Sequence, residues 1–259
     1  MSADGTGRVQ IIAVEGLPEI RDGDDLPRLI GDGLERTADV LPLRDDDLLV
    51  VTQKIVSKAE GAIVDLTTVE PRLEAVEFAS RWDRDPRQVE VVLREARRVV
   101  RMANGVLITE THHGFICANG GIDASNVGPD SGSIVTLLPR DPDASAGRIR
   151  AGLLARFGQD LPIIVSDSFG RPWRWGIVDV AIGVSGIEPL DDLRGTPDAD
   201  GRVMHSTVRA VADEVASAAE LVLGKTARHP VALVRGVSFR RGEAGLHDAI
   251  IPAANDLFR

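Results

Sequence analysis

Short apolar runs recur along this chain, and the stretches between them carry apolar residues at helical spacing. Runs at residues 9–14, 47–52, 62–66, 106–109, 115–118, 133–138, 163–165, 177–184 and 231–234 predict strands. They are rich in Val, Ile and Leu, and several are bounded by turn-forming Gly, Pro, Asp or Asn. Helical spacing predicts helices over 25–34, 72–82, 86–102, 144–157 and 206–223. Pro27 is tolerated in the first turn of the first helix. In the third, Val89, Val92, Leu93, Ala96 and Val100 share one face. The fourth starts near Asp141-Pro142, a cap-and-start signal, and the fifth ends at Gly224. A polar tail rich in Arg and Gly follows the last strand.

Strands and helices mix without the regular spacing of a doubly wound parallel sheet. No internal repeat, low-complexity stretch or long linker divides the chain. The expected fold is therefore α+β, one unit over residues 1–259 in two interleaved subdomains.

Composition narrows the function class. Hydrophobic content of 43% and charged content of 27% are those of a soluble globular protein. A net charge of -10 argues against nucleic acid or an anionic membrane as the main partner, but not against an anionic small molecule at a local cation cluster. Cys117 is the lone cysteine, so no intrachain disulfide can form. The first residues are polar and acidic rather than basic then apolar, and no apolar run approaches a membrane span. A cytoplasmic location is expected. Lys and Arg total 30, yet the lysines are only Lys54, Lys58 and Lys225. An Arg-rich background that keeps Lys in a close pair suggests positions where a compact ammonium meets phosphate; the alternative is chance survival.

Candidate chemistry concentrates in two polar segments, Asn119-Gly120-Gly121-Ile122-Asp123-Ala124-Ser125-Asn126 and Ser166-Asp167-Ser168-Phe169-Gly170. Each follows an apolar run, which places a carboxylate at the end of a buried strand beside small and hydroxyl residues. Hard divalent cations and the phosphates they carry need such an arrangement. Asp123 and Asp167 are the metal-ligand candidates, with Asn126 and Ser168 as neighbouring oxygen donors. The alternative is a pair of turn aspartates bonding local amides.

Other motifs fall away. Gly224-Lys225-Thr226 resembles the tail of a P-loop, but Ala219 stands where its first Gly belongs and a helix precedes it. No GxGxxG occurs. Zinc is disfavoured, because His112 and His113 point apart and Cys117 has no partner. His113 reads better as a structural histidine than as a general base. Arg171 and Arg174 suit either a bidentate grip on phosphate or carboxylate, or a cation–π role beside Trp173 and Trp175. Asp179 reads as a buried structural carboxylate with backbone partners. Ser125 and Ser168 are expected in loops, and neither has a nucleophile-elbow context, which favours metal-assisted phosphoryl chemistry over a covalent serine.

Several segments, in order, resemble the coenzyme F420 glutamyl ligase family. They are Gly16-Leu17-Pro18-Glu19-Ile20, Val56-Ser57-Lys58-Ala59-Glu60-Gly61, and His113-Gly114-Phe115 running into Gly121-Ile122-Asp123-Ala124-Ser125-Asn126. Ser166-Asp167-Ser168 with Gly170-Arg171-Pro172-Trp173-Arg174 follows, then Ala212-Asp213-Glu214 and Ala218-Ala219-Glu220-Leu221-Val222. The resemblance covers roughly residues 9–236 and is to the stand-alone form, without the nitroreductase-like C-terminal domain of the bacterial fusion. It implies an α+β homodimer with its active site near the dimer groove. The implied activity is GTP-dependent addition of L-glutamate, by amide bonds, to the carboxylate of the deazaflavin precursor F420-0.

By position, the resemblance puts metal ligands on Asp123, Asp167 and Ser168, for two Mg²⁺ or Mn²⁺ ions, with K⁺ as a further expected ion. GTP contacts fall on Leu17, Pro18, Glu19, Ile20, Gln53, Lys58 and Asn126, with a further stretch at Lys225. Asp123, Asp167 and Lys58 are the implied catalytic residues. Gln53 stands where a small hydroxyl residue is usual, and Lys225 where archaeal members often carry Gln as a metal ligand. A metal-dependent phosphohydrolase and a non-catalytic nucleotide- or deazaflavin-binding protein are the other readings.

Overall fold

The centre of the molecule is a five-stranded sheet whose inner strands are the most apolar runs in the chain. The computed structural model describes residues 7–124 and 132–257. In chain order the elements are β1 Gln10–Ala13, α1 Leu26–Arg36, β2 Asp47–Thr52, α2 Gln53–Ala59, β3 Ile63–Asp65, α3 Leu73–Trp82, α4 Pro86–Glu95, β4 Ala96–Ala103, β5 Val106–Thr111 and β6 Ile116–Ala118. Then come β7 Ile134–Thr136, α5 Pro142–Phe157, β8 Ile163–Arg171, β9 Arg174–Ser185, β10 Asp191–Asp192, β11 Val208–Arg209, α6 Val211–Leu223 and β12 Val231–Arg235. The architecture is mixed α+β, as the patterning predicts.

The large sheet has the order β1-β12-β2-β8-β9. β2 and β8 run parallel, with Leu49 opposite Ile163 and Thr52 opposite Ser166; the other pairings are antiparallel. The apolar residues of β2, β12 and the first half of β8 are buried, as expected for strands covered on both faces. Smaller sheets pair β3 with β7, β10 with β11, and β4-β5-β6.

Helix ends follow local chemistry. Asp25, Asp85 and Asp141 cap α1, α4 and α5 by accepting from backbone amides, each with Pro at the helix start. Gly158 ends α5 in the left-handed region at φ 70°. The main core joins β2, β8 and β12 to apolar faces of α1, α5 and α6, and two smaller clusters lie among α3, α4, β5 and β7.

Three expectations need correction. The helix expected over 86–102 stops at Glu95, and Ala96–Ala103 becomes a strand against β5. The 3.6-residue period continues through Ala96 and Val100. Cross-strand pairing and the ion pairs of Arg97 and Arg98 with Glu110 override it. The helix expected from residue 206 starts at Val211, because Val208–Arg209 pairs with Asp191–Asp192. The second polar segment is not a loop: Ser166-Asp167-Ser168-Phe169-Gly170 continues β8 to Arg171, paired along its length with β9.

Candidate active site

β2 ends at Thr52 beside Ser166 of the parallel strand β8, which runs on to Arg171, and the candidate residues gather around this point. Beyond Thr52 the chain enters α2, whose i, i+4 spacing puts Lys54 and Lys58 on one helical face. Beyond Val165 a register shift between Val165 and Ser166 marks a bulge against β9, just where Asp167 and Ser168 begin. Asp123 comes from the other direction. Its backbone exchanges two hydrogen bonds with Thr136 of β7, at 3.1 and 2.9 Å, which anchors it against the small β3–β7 sheet.

Side chains alternate along β8, so Asp167 and Ser168 leave it on opposite faces. Lys54 Nζ lies 2.7 Å from Asp123 Oδ2. Asp167 is half-buried and its carboxyl is pushed up to about 7. Burial is the main cause; the charges of Asp123 and Asp179 add to it, while the Ser168 amide and Lys225 oppose it. Burial and the Asp167 charge push the Cys117 thiol up to about 12, so it is no thiolate nucleophile at neutral pH.

On the Ser168 side, Ser168 Oγ donates to Asp179 Oδ1 at 2.6 Å, and Ser166 Oγ donates to Oδ2 at 3.3 Å. Lys225, just past the Gly224 that ends α6, donates to Ser168 Oγ and lies 3.5 Å from Asp179 Oδ1. Asp179 is 3% exposed. It therefore has hydroxyl and ammonium partners rather than the backbone partners expected for its carboxylate. Sequence reading left it outside the candidate site; the available signal was a lone carboxylate near the start of the apolar run 177–184.

The remaining candidates are nearby but differently engaged. Lys58 is buried and paired with Glu19, which ties the Leu17-Pro18-Glu19-Ile20 segment to α2. Gln53 is buried, its amide donating to Ser57 Oγ and to the Leu137 carbonyl at 2.7 Å. Asn126, with Ser125, lies outside the described residues. His113 bonds the Pro139 carbonyl through Nε2 at 2.9 Å and stacks on Phe115, in line with a structural role.

Among the described residues, no group of three His, Cys, Asp or Glu side chains forms a metal cage by itself. The donors are all hard oxygens, and a carboxyl raised chiefly by burial, with two like charges adding to it, is the group a divalent cation would return to its ionised state. Such a donor set fits Mg²⁺ or Mn²⁺ completed by phosphate oxygens and water, as magnesium sites on nucleotides usually are.

A family model described as F420-0:Gamma-glutamyl ligase matches residues 16–236. A coenzyme F420:L-glutamate ligase of Methanothermobacter thermautotrophicus is 42% identical over 97% of this chain and 99% of its own length. Proteins of the same name from Methanocaldococcus jannaschii and Methanopyrus kandleri are 38% and 42% identical, the first over 97% of both chains and the second over 89% of both.

Proposed function

Because the chain belongs to the F420-0:gamma-glutamyl ligase family, we propose that it adds L-glutamate to F420-0, using GTP and an acyl-phosphate intermediate, in coenzyme F420 biosynthesis. The observation that carries the phosphoryl-transfer part is the placement of the lysines. All three in an Arg-rich chain stand around the ends of β2 and β8, paired with Asp123, Glu19, and Ser168 with Asp179. Three ammonium groups among paired carboxylates in an acidic protein suit a polyphosphate ligand whose arrival exchanges these internal pairs for contacts to phosphate.

In this reading Leu17, Pro18, Glu19, Ile20 and Gln53 border the nucleotide, with Lys58 against its phosphates. Asn126 is assigned to the same role by resemblance alone. The precursor carboxylate oxygen attacks the γ-phosphorus, the bond to the bridging oxygen breaks, and GDP leaves. The amine of glutamate then attacks the acyl carbon, inorganic phosphate leaves, and the amine proton passes to solvent. Lys225, steered by Asp179 and Ser168, sits to neutralise charge on the transferred group. Asp123, Asp167 and Ser168 would hold the Mg²⁺ or Mn²⁺ ions, which supply Lewis-acid neutralisation of the phosphates when bound. The protein's own contribution is positioning and fixed charge.

The same reading takes residues 1–259 as one catalytic unit, with a core over roughly 9–236 and two interleaved subdomains, acting as a cytoplasmic homodimer; sedimentation velocity checks the dimer. In the described residues no helix is long and apolar enough to cross a membrane. The deciding experiment is mass spectrometry of a reaction with GTP, Mg²⁺ or Mn²⁺, L-glutamate and F420-0. Mass gains in successive glutamyl units support the ligase. GDP release without mass gain replaces it with a phosphohydrolase, and nucleotide binding without turnover with a binding protein.

A further inference from the structure

The tip of the β8–β9 hairpin carries an aromatic surface that the chemistry above leaves unused. Trp173 is 82% exposed and Trp175 is 100% exposed, in a chain with three tryptophans and 3% aromatic residues. Arg171 pairs with Arg174, so Pro172 and Trp173 form the turn, and Trp173 has φ 59°. Pro followed by a positive φ is the pattern of a type II turn, whose second position favours Gly or Asn. A bulky Trp there is conformationally disfavoured, so its side chain rather than its backbone preference accounts for its presence.

The arginines frame this surface. Arg171 Nη2 donates to the Trp175 carbonyl at 2.8 Å and ties the tip together, while its Nε is buried without a partner. Arg174 is exposed and makes no ion pair among the described residues. The tip is therefore cationic and aromatic on a protein of net charge -10. It also grows directly from the strand that bears the site. Ser168 and Trp173 are five residues apart, a reach of at most about 18 Å along the chain. The acceptor of the proposed reaction presents a deazaflavin ring and, apart from it, the carboxylate to be glutamylated, so it needs two sites set apart as the tip and Ser168 are.

We propose that Trp173 and Trp175 are the stacking platform for the tricyclic deazaflavin ring of the acceptor, with Arg171 and Arg174 beside its phosphodiester. This arrangement delivers the acceptor's carboxylate end to the stretch of β8 that carries the candidate site. The inference rests on the proposed ligase reading for the identity of the acceptor, and it deepens that reading by assigning acceptor recognition to one hairpin. Aromatic stacking supplies affinity from either face of a ring, and the guanidinium groups complement an anionic spacer that the acidic remainder of the protein repels.

The test titrates F420-0 into the full-length protein without GTP, following tryptophan and deazaflavin fluorescence, with Trp82 left in every variant as a reference emitter. Wild type should show saturable quenching. The W173A/W175A double variant should raise the Kd and the KM for F420-0 on the order of 10- to 100-fold, with kcat within a few-fold and the KM for GTP and glutamate unchanged. W173F/W175F should restore most of the affinity, and circular dichroism should report an unaltered fold. An unchanged KM for F420-0 in the alanine variant overturns the proposal. So does a loss of affinity accompanied by a fall in sedimenting mass, which would assign the tip to a second copy of the chain. Quenching without glutamylation would sink the ligase reading and keep the platform; glutamylation without tryptophan-dependent binding would do the reverse.

Discussion

Asp179→Asn is the substitution that most directly tests how the site is held. The carboxylate accepts from Ser168 Oγ at 2.6 Å and Ser166 Oγ at 3.3 Å, with Lys225 Nζ 3.5 Å away. Asn keeps the shape and one acceptor, and its amide replaces the second acceptor with a donor. Hydrogen bonds to charged groups contribute about 1.5–3 kcal/mol and neutral ones roughly half as much, so the Ser168 contact should weaken by about 1–1.5 kcal/mol. Lys225 is half-exposed, and its pair with Asp179 adds under about 1 kcal/mol. Together these give about 2 kcal/mol, or roughly a 30-fold fall in kcat/KM for ligation. Stability should change little, because removing a buried charge offsets part of the lost bonding. Steady-state glutamylation followed by mass spectrometry, with thermal unfolding alongside, makes the measurement. A folded variant with wild-type kcat/KM would refute the role given to Asp179, and a fall in activity matched by a collapse in melting temperature would make that role structural only.

Three further outcomes are expected. Asp123→Asn and Asp167→Asn should each abolish glutamylation while leaving the fold intact, and wild-type-like ligation by both would remove the site assignment. Glu90, buried between Arg72 and Arg94, is held near about 2, chiefly by the hydrogen bond from Arg72. Its folded value lies below its unfolded one, so its stabilisation is full above about pH 4.5 and fades as pH falls through 2. Glu90→Gln should cost about 2–3 kcal/mol at pH 7 and flatten the acid limb of the stability curve; chemical denaturation at pH 7, 4 and 3 checks both. Gly183 faces the start of α5, where an added Cβ would lie 2.4 Å from the Pro142 carbonyl carbon. Gly183→Ala should therefore destabilise by about 1–3 kcal/mol in a denaturant titration, an effect absent from Gly170→Ala, whose Cβ meets open space.

Much of the fold was legible because its strongest signals are local. Within Asp47–Thr52, residues 48–51 are an unbroken apolar run, and Asp141-Pro142 before a helical period carries both cap and start. Errors arose where non-local pairing decided the outcome. Residues 96–103 have an acceptable helical stripe, and only the Glu110 strand opposite makes them a strand. Ser166–Arg171 reads as a loop because it is polar, yet β9 supplies a complete partner ladder. For the candidate site, Asp123, Asp167 and the lysines stand out by residue type and neighbours. Asp179 does not, since a lone carboxylate in an apolar run looks structural until Ser168 and Lys225 arrive beside it from elsewhere in the chain.

The position of the site follows from a topological feature rather than from any motif. In a sheet otherwise antiparallel, β2 and β8 are the one parallel pair, so the carboxyl end of β2 lies beside Ser166, just before Asp167 and Ser168 of β8. Parallel neighbours require a long crossover, and here it runs from α2 through α5. That excursion is what returns Asp123, through its bridge to Thr136, to Lys54 at the start of the same crossover. β9, antiparallel to β8, then carries Asp179 back opposite Ser168, and the end of α6 adds Lys225. The candidate residues thus come from several elements, α2, β8, β9, the end of α6 and the segment bridged to β7, and each is fixed to the large sheet or to the β3–β7 sheet. Charges held this way cannot drift together or apart independently, which is the preorganisation that phosphoryl transfer demands of fixed groups.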